Sequence, residues 1–189
     1  MRISDAQWIP ATQHQTWEAL TDCAVLRKCI PGCVDVDCRS PTEYAFTVRA
    51  RVGGLAADYE GEVLLSDVNA PHGCTLVFEG KGNAAGLAIG TAQINLSPKD
   101  EGTRLSYTLA AMAGGKLGEV GESALLKAGG KIVERFFTTF IDHMAAQPHI
   151  APPAPPPPPE PHGLRNSRWS WAVVTMLILA FVGYHTFFT

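Results

Sequence analysis

Leu105-Ser-Tyr-Thr-Leu109 alternates apolar and polar residues, whereas Leu117-Gly-Glu-Val-Gly-Glu-Ser-Ala-Leu125, a little further on, does not. The first stretch has the period of a strand with one buried face. The second begins a set in which Leu117, Val120, Gly121, Ala124, Leu125, Ala128, Ile132, Phe136 and Phe140 recur at intervals of three and four. That spacing predicts a helix of about thirty residues with one apolar stripe. A long helix cannot bury its stripe alone, so whatever precedes it must cover it.

What precedes it reads as sheet. Tyr44, Phe46, Val48, Ala50 and Val52 alternate with Ala45, Thr47, Arg49 and Arg51. Tyr59, Gly61 and Val63 alternate with Glu60 and Glu62; Leu76 and Phe78 with Val77 and Glu79; Gly90, Ala92, Ile94 and Leu96 with Thr91, Gln93 and Asn95. Antiparallel strands with one face on a core show this pattern. Gly53-Gly54, Asn69 to Gly73, Gly80 to Gly86 and Pro98 to Gly102 supply turns between them. Arg2 to Trp8 reads as a first strand. Thr12-x-x-Gln15 is a capping-box pattern that opens a short helix. Asp22 caps a second, which Pro31-Gly32 ends. The expected fold is α+β, with one helix lying across an antiparallel sheet.

Small residues crowd both partners. Gly114, Gly115, Gly118, Gly121, Gly129 and Gly130 lie in or near the helix, and Ala84, Ala85, Gly86, Ala88, Gly90 and Ala92 on the facing strand region. Each interior helix glycine costs about 1 kcal/mol against alanine. Two consequences stay open here. The backbones can pack closely, or the helix and sheet can leave an apolar cavity of the kind that binds small molecules.

The formal charge of −3 argues against a nucleic-acid partner, since phosphate binding needs clustered Lys and Arg. Cys23, Cys29, Cys33, Cys38 and Cys74 are odd in number, and in a cytoplasmic chain no disulfide is expected. Their spacing has no Cys-x2-Cys pair, so no metal site is expected either. Gly80-x-Gly82-x-x-x-Gly86 misses the dinucleotide spacing, and Gly114-Gly115-Lys116 lacks the remainder of a phosphate loop. His14, His72, His143 and His149 are scattered. Glu119, Glu122, Glu134, Lys116, Lys127 and Lys131 fall on the polar side of the helix, with Glu119 and Glu122 within reach of a cavity mouth. No catalytic constellation emerges.

The chain then changes character. Residues 148–161 hold nine prolines, five of them consecutive from Pro155 to Pro159. Proline lacks the backbone donor, so this segment reads as an extended spacer reaching on the order of 40 Å. From Trp169 to Phe188 there is no Lys, Arg, Asp or Glu, and a helix of this length rises about 30 Å, the thickness of a bilayer's hydrocarbon core. Trp169 and Trp171 at one end, with Tyr184, Phe187 and Phe188 at the other, suit the two interfaces. The other reading, a buried core helix, needs a domain around it. Arg165 and Arg168 precede the span, which places the N-terminal bulk in the cytoplasm. The expected organisation is a domain over 1–147, a proline-rich linker with a basic juxtamembrane end over 148–168, and a single C-terminal transmembrane helix over 169–188. The expected location is the cell membrane, with the soluble domain cytoplasmic.

Leu26-Arg-Lys-Cys-Ile-Pro-Gly-Cys33, Asp58-Tyr-Glu-Gly-Glu-Val-Leu-Leu-Ser-Asp67, Gly80-Lys-Gly-Asn-Ala-Ala-Gly86, Gly102-Thr-Arg-Leu-Ser-Tyr107 and Gly114-Gly-Lys-Leu-Gly-Glu-Val-Gly121 follow one another in order, before Phe136-Phe137. Together they resemble the CoxG family, the G subunits of carbon monoxide dehydrogenase, over about residues 1 to 145. Glu119-Val-Gly-Glu-Ser departs from that family's more usual Gln-Leu-Gly-Ser-Arg. The resemblance implies the START-like, helix-grip (SRPBCC) fold, a seven-stranded antiparallel sheet gripping a long C-terminal helix around an apolar cavity. It also implies an accessory role beside an aerobic CO dehydrogenase-type molybdenum enzyme, which the protein recruits to the membrane.

Three functions follow as expectations. In the first the domain docks the enzyme and holds a hydrophobic small molecule, with a respiratory quinone as the ligand and no tightly bound cofactor. Phe46, Val48, Leu76, Phe78, Ile94, Leu105 and Tyr107 would line the cavity from the sheet, and Leu117, Val120, Ala124 and Leu125 from the helix. Tyr107 would supply a hydrogen bond. The second is a cyclase-like enzyme, for which Tyr107 and Tyr59 are the only inward polar candidates. The third is a structural tether with a filled core.

Overall fold

The structure, a computed structural model, describes residues 1–52, 55–82 and 85–147. The expected linker and transmembrane helix, the Gly53-Gly54 turn and Ala84 lie outside the described residues. No helix among the described residues is long and apolar enough to cross a membrane.

Strand β1 (Arg2–Ile9) leads into α1 (Gln13–Thr21) and α2 (Cys23–Cys29). Six strands follow: β2 (Cys33–Ser40), β3 (Glu43–Val52), β4 (Leu55–Asn69), β5 (Gly73–Gly82), β6 (Gly86–Lys99) and β7 (Gly102–Gly114). A short α3 (Lys116–Glu119) and the long α4 (Glu122–Ala146) complete the domain. The seven strands form one sheet in the order β1-β7-β6-β5-β4-β3-β2. Every neighbouring pair runs antiparallel, so β2 through β7 form a meander and β1 closes against β7.

Local chemistry sets the element ends. The Thr12 hydroxyl accepts from the Gln15 backbone N–H while Gln15 Oε1 accepts from the Thr12 N–H at 3.1 Å, the expected capping box. Asp22 Oδ1 accepts from the Val25 N–H at 2.9 Å and starts α2. Gly32 follows at φ +73°, where a side chain would strike the Arg49 carbonyl.

One strand lies outside the alternating stretches, and three expectations need correction. Cys33–Ser40 is a strand that alternation alone did not single out, because as an edge strand it carries two register shifts and exposes most of its side chains. The long helix is two helices: the chain breaks at Val120-Gly121, with Gly121 at φ +92°. Gly80 and Gly82 lie within β5 and pair with β6, so both are strand residues rather than turn residues. Finally, Cys23 and Cys38 form a disulfide, because the start of α2 and the edge strand β2 bring their Cα atoms to 6.3 Å. Cys29, Cys33 and Cys74 remain free thiols.

The main core sits where α1, α2 and the C-terminal half of α4 meet β1, β6 and β7. Ile9, Leu105 and Phe140 are completely buried there, with Phe137 and Met144 beside them. Burial of each such side chain contributes roughly 1.5–3 kcal/mol. The Phe137 ring stacks on Tyr107 with centroids 5.1 Å apart.

Candidate functional site

Strand register puts one set of residues on the face that α4 crosses. The partners Tyr44–Val63–Phe78–Gly90–Ala111 form one row across β3 to β7. Phe46–Gly61–Gly80–Ala88–Ala113 and Val48–Tyr59–Gly82 form the next two. All seven sheet residues expected to line a cavity, Phe46, Val48, Leu76, Phe78, Ile94, Leu105 and Tyr107, share this inner face. The alternate residues from Tyr44 to Ala50, Ala57 to Leu65, Cys74 to Gly82, Ala88 to Leu96 and Leu105 to Ala113 include no Lys, Arg, His, Asp or Glu.

Packing on this face is uneven. At one end Leu105, Tyr107 and Ile94 belong to the main core. At the other, Tyr59, Ala85 and Leu117 form a small second cluster, with Ala50, Ala57, Ala88, Ala113 and Leu125 packed against it. Between them Phe46, Val48, Val63, Leu65, Leu76, Phe78 and Leu109 are only half-buried and belong to neither cluster. Val120, in the break before α4, and Ala124, in its first turn, are not fully buried either. The middle of the inner face is therefore a neutral, apolar surface that the helix leaves partly uncovered.

The helix glycines divide between the two explanations left open by the sequence. A methyl group on Gly129 would lie 3.0 Å from the Met1 Cε and 3.5 Å from Ile3 Cδ1, which is close packing. One on Gly130 would meet nothing within 4 Å, which is unfilled space. Gly130 lines a cleft of about 470 Å³ between β1 and α4, with Tyr107, Val133, Phe137 and Ile141 as apolar walls. Asp5, Gln7 and Glu134 supply its polar groups. Burial, and then the Asp5 charge, push the Tyr107 phenol above its ordinary pKa.

Tyr59 differs from every other polar residue on the inner face. It is 8% exposed, and its hydroxyl is buried with no hydrogen-bond partner among the described residues. Its ring lies against Gly82, where a methyl group would come within 2.8 Å of Cε1. Burial alone raises its pKa. Alternation places Tyr59 inward but carries no sign that its hydroxyl is left unpaired. Glu119 and Glu122 are exposed; Glu122 Oε1 lies 3.9 Å from the N-terminal ammonium.

The opposite face carries a shallow trough of about 940 Å³ across β3 to β7. Leu64, Val77, Ile89 and Met112 line it, and Met112 is 69% exposed. Glu43, Glu62, Glu79 and Arg39 rim it, with Arg39 bonded to Glu62 at 2.6 Å. The sequence signal for this trough is an apolar residue at outward positions, as at Val77 between Leu76 and Phe78. Among the described residues no group of three His, Cys, Asp or Glu side chains is placed to hold a metal ion.

Among solved structures, the chain is similar to a conserved protein from Geobacillus kaustophilus. Identity is 25% and the TM-score 0.72, over 77% of this chain and 95% of that one. It has the fold of a START superfamily protein from Mycobacterium smegmatis (10% identity, TM-score 0.60, 76% and 97% coverage). It also has the fold of BexL, a di-domain ARO/CYC protein of the BE-7585A biosynthetic pathway (17%, TM-score 0.56, 78% and 51%). No curated protein matches the chain significantly. The family model for CoxG, the G subunit of carbon monoxide dehydrogenase, matches residues 7–145, which include the whole sheet apart from the start of β1 and nearly all of α4. The chain belongs to the CoxG family of carbon monoxide dehydrogenase G subunits.

Proposed function

We propose that this chain is a non-catalytic, membrane-tethered accessory of an aerobic CO dehydrogenase-type molybdenum enzyme. It recruits the enzyme to the bilayer and carries a lipophilic molecule, a respiratory quinone, on the inner face of its sheet. The observation that carries the cargo half is the half-buried apolar middle around Phe46, Leu76 and Phe78, between two packed ends. A quinone ring and isoprenoid tail need largely apolar walls with one or two polar groups. The same face has no carboxylate or imidazole over β3 to β7 to serve as general acid or base, which supports binding over catalysis.

Family membership supports the enzyme partner. The apolar run from Trp169 to Phe188 behind a proline-rich spacer supports the tether, with the domain on the cytoplasmic side. The outer trough supports docking: its Leu64, Val77 and Met112 are exposed and its rim is acidic, so it fits an apolar patch of the enzyme bordered by Lys or Arg. Membranes carrying the full chain, or the chain cut after Gln147, are mixed with the enzyme and sedimented. The reading predicts that the enzyme pellets only with the full chain; equal pelleting with the shortened one contradicts the tether.

A further inference from the structure

The Tyr59 hydroxyl is buried and has no hydrogen-bond partner among the described residues. Leaving a hydroxyl buried and unpaired costs about 1–3 kcal/mol, and phenylalanine would fill the same space without that cost. Its neighbours are alanines and leucines that offer no acceptor side chain: Ala85 and Leu117 in its cluster, with Ala50, Ala57, Ala88, Ala113 and Leu125 around them. Val48 is its register partner on β3, and Gly61 and Val63 follow it along β4 on the same face. Tyr59 therefore sits where the packed second cluster adjoins the half-buried middle of the face.

A phenol donates a hydrogen bond, so its partner must present an acceptor. The surrounding face has no cation to pair with an anion. A fatty-acid carboxylate or a phosphate brought there would be buried without a counter-charge, which is strongly unfavourable. An uncharged carbonyl oxygen meets both conditions.

We propose that Tyr59 is the specificity-determining residue of the inner face, donating its hydroxyl hydrogen to a carbonyl oxygen of a neutral, otherwise apolar ligand. The assignment rests on the inner face being the cargo site. It selects ketone- or quinone-bearing lipids over charged amphiphiles and over plain hydrocarbons. The ligand reaches the hydroxyl by displacing α3, the segment that carries Leu117. That segment is bounded by Gly115 at φ +67° and Gly121 at φ +92°, and neither α3 nor α4 has a side-chain cap at its start. Among the described residues one backbone bond, from the Leu117 N–H to the Ala85 carbonyl at 2.6 Å, fastens it to the sheet side.

The test titrates the full chain in lipid nanodiscs with a ubiquinone bearing one isoprene unit, and with prenylbenzene, which keeps ring and tail but lacks carbonyls. Tyr59→Phe should weaken quinone binding by roughly threefold to tenfold, the range of one hydrogen bond, and leave prenylbenzene unchanged. The melting temperature of the ligand-free variant should equal or exceed that of the wild type, since no bond is lost. Equal quinone affinity in wild type and Tyr59→Phe overturns the assignment while leaving the cargo site standing, as does a selective loss in Tyr107→Phe instead. Wild type that binds neither probe overturns the cargo site and this assignment with it.

Discussion

The Phe78 ring lies across Gly90 on the neighbouring strand, where a methyl group would fall 2.6 Å from the ring's Cζ. The two residues are register partners. Phe46 over Gly61 and Tyr59 over Gly82 repeat the relationship, again between partners. Three aromatic rings thus lie along the sheet, each on a glycine, and those of Phe46 and Phe78 form the floor of the cargo surface. Gly90→Ala or Gly61→Ala should push a ring upward and strain the adjoining carbonyl. Each should cost about 1–3 kcal/mol, the usual range for overpacking, read by urea unfolding of the full chain. An unchanged midpoint would show that the rings move freely.

The strand alternation was legible in the sequence because antiparallel pairing turns a period of two into one shared face. Phe46, Val48, Leu76 and Phe78 could be grouped without coordinates for that reason. The alternation could not say how far the helix covers that face. Leu105 and Phe78 follow the same pattern, yet Leu105 is fully buried and Phe78 half-buried. That difference depends on where the helix lies over the sheet: Leu105 packs in the core with Phe137, Phe140 and Met144 of α4, and Phe78 belongs to neither packed cluster. Gly80 and Gly82 looked like a turn because glycine runs usually are; here Gly82 makes room for the Tyr59 ring.

In the purified chain, outside the reducing cytoplasm, Cys23 and Cys38, 15 residues apart, should be found joined, and Cys29, Cys33 and Cys74 free. Alkylation of the denatured, unreduced chain should label Cys29, Cys33 and Cys74 alone, with Cys23 and Cys38 labelled only after reduction. A bridge closing a loop of this length contributes about 3 kcal/mol in the chain-entropy model, so reduction should lower the unfolding midpoint. Five labelled thiols without reductant would contradict the bridge.

Burial raises the phenol pKa of Tyr44, Tyr59 and Tyr107 above the ordinary value of 10.0. The folded state therefore holds these protons more tightly than the unfolded one. Their contribution to stability is complete below pH 10.0 and is lost as pH rises through the folded-state values. Denaturation midpoints should fall on the alkaline side, and Tyr59→Phe should reduce that fall. Phenolate absorbance rising with the midpoint of a free tyrosine at all three positions would contradict this.

Met112 lines the outer trough at 69% exposure and belongs to neither packed cluster, so a charge there stays in solvent. Met112→Asp should leave the melting temperature within about 1 °C, as surface substitutions usually do, while weakening enzyme recruitment to membranes by about tenfold or more. The sedimentation assay reads this directly. Full recruitment by a folded Met112→Asp variant would move the docking site off this face.

The central claim is that the uncovered middle of the inner face holds a quinone. The full chain is purified from its native membrane in parallel with Leu76→Trp, which places a bulky indole in that space, and the bound lipids are extracted and identified by mass spectrometry. The account predicts quinone at close to one molecule per chain in the wild type and a loss of about tenfold or more in folded Leu76→Trp. Equal quinone in both, or none in the wild type above the level of the surrounding membrane, would contradict it.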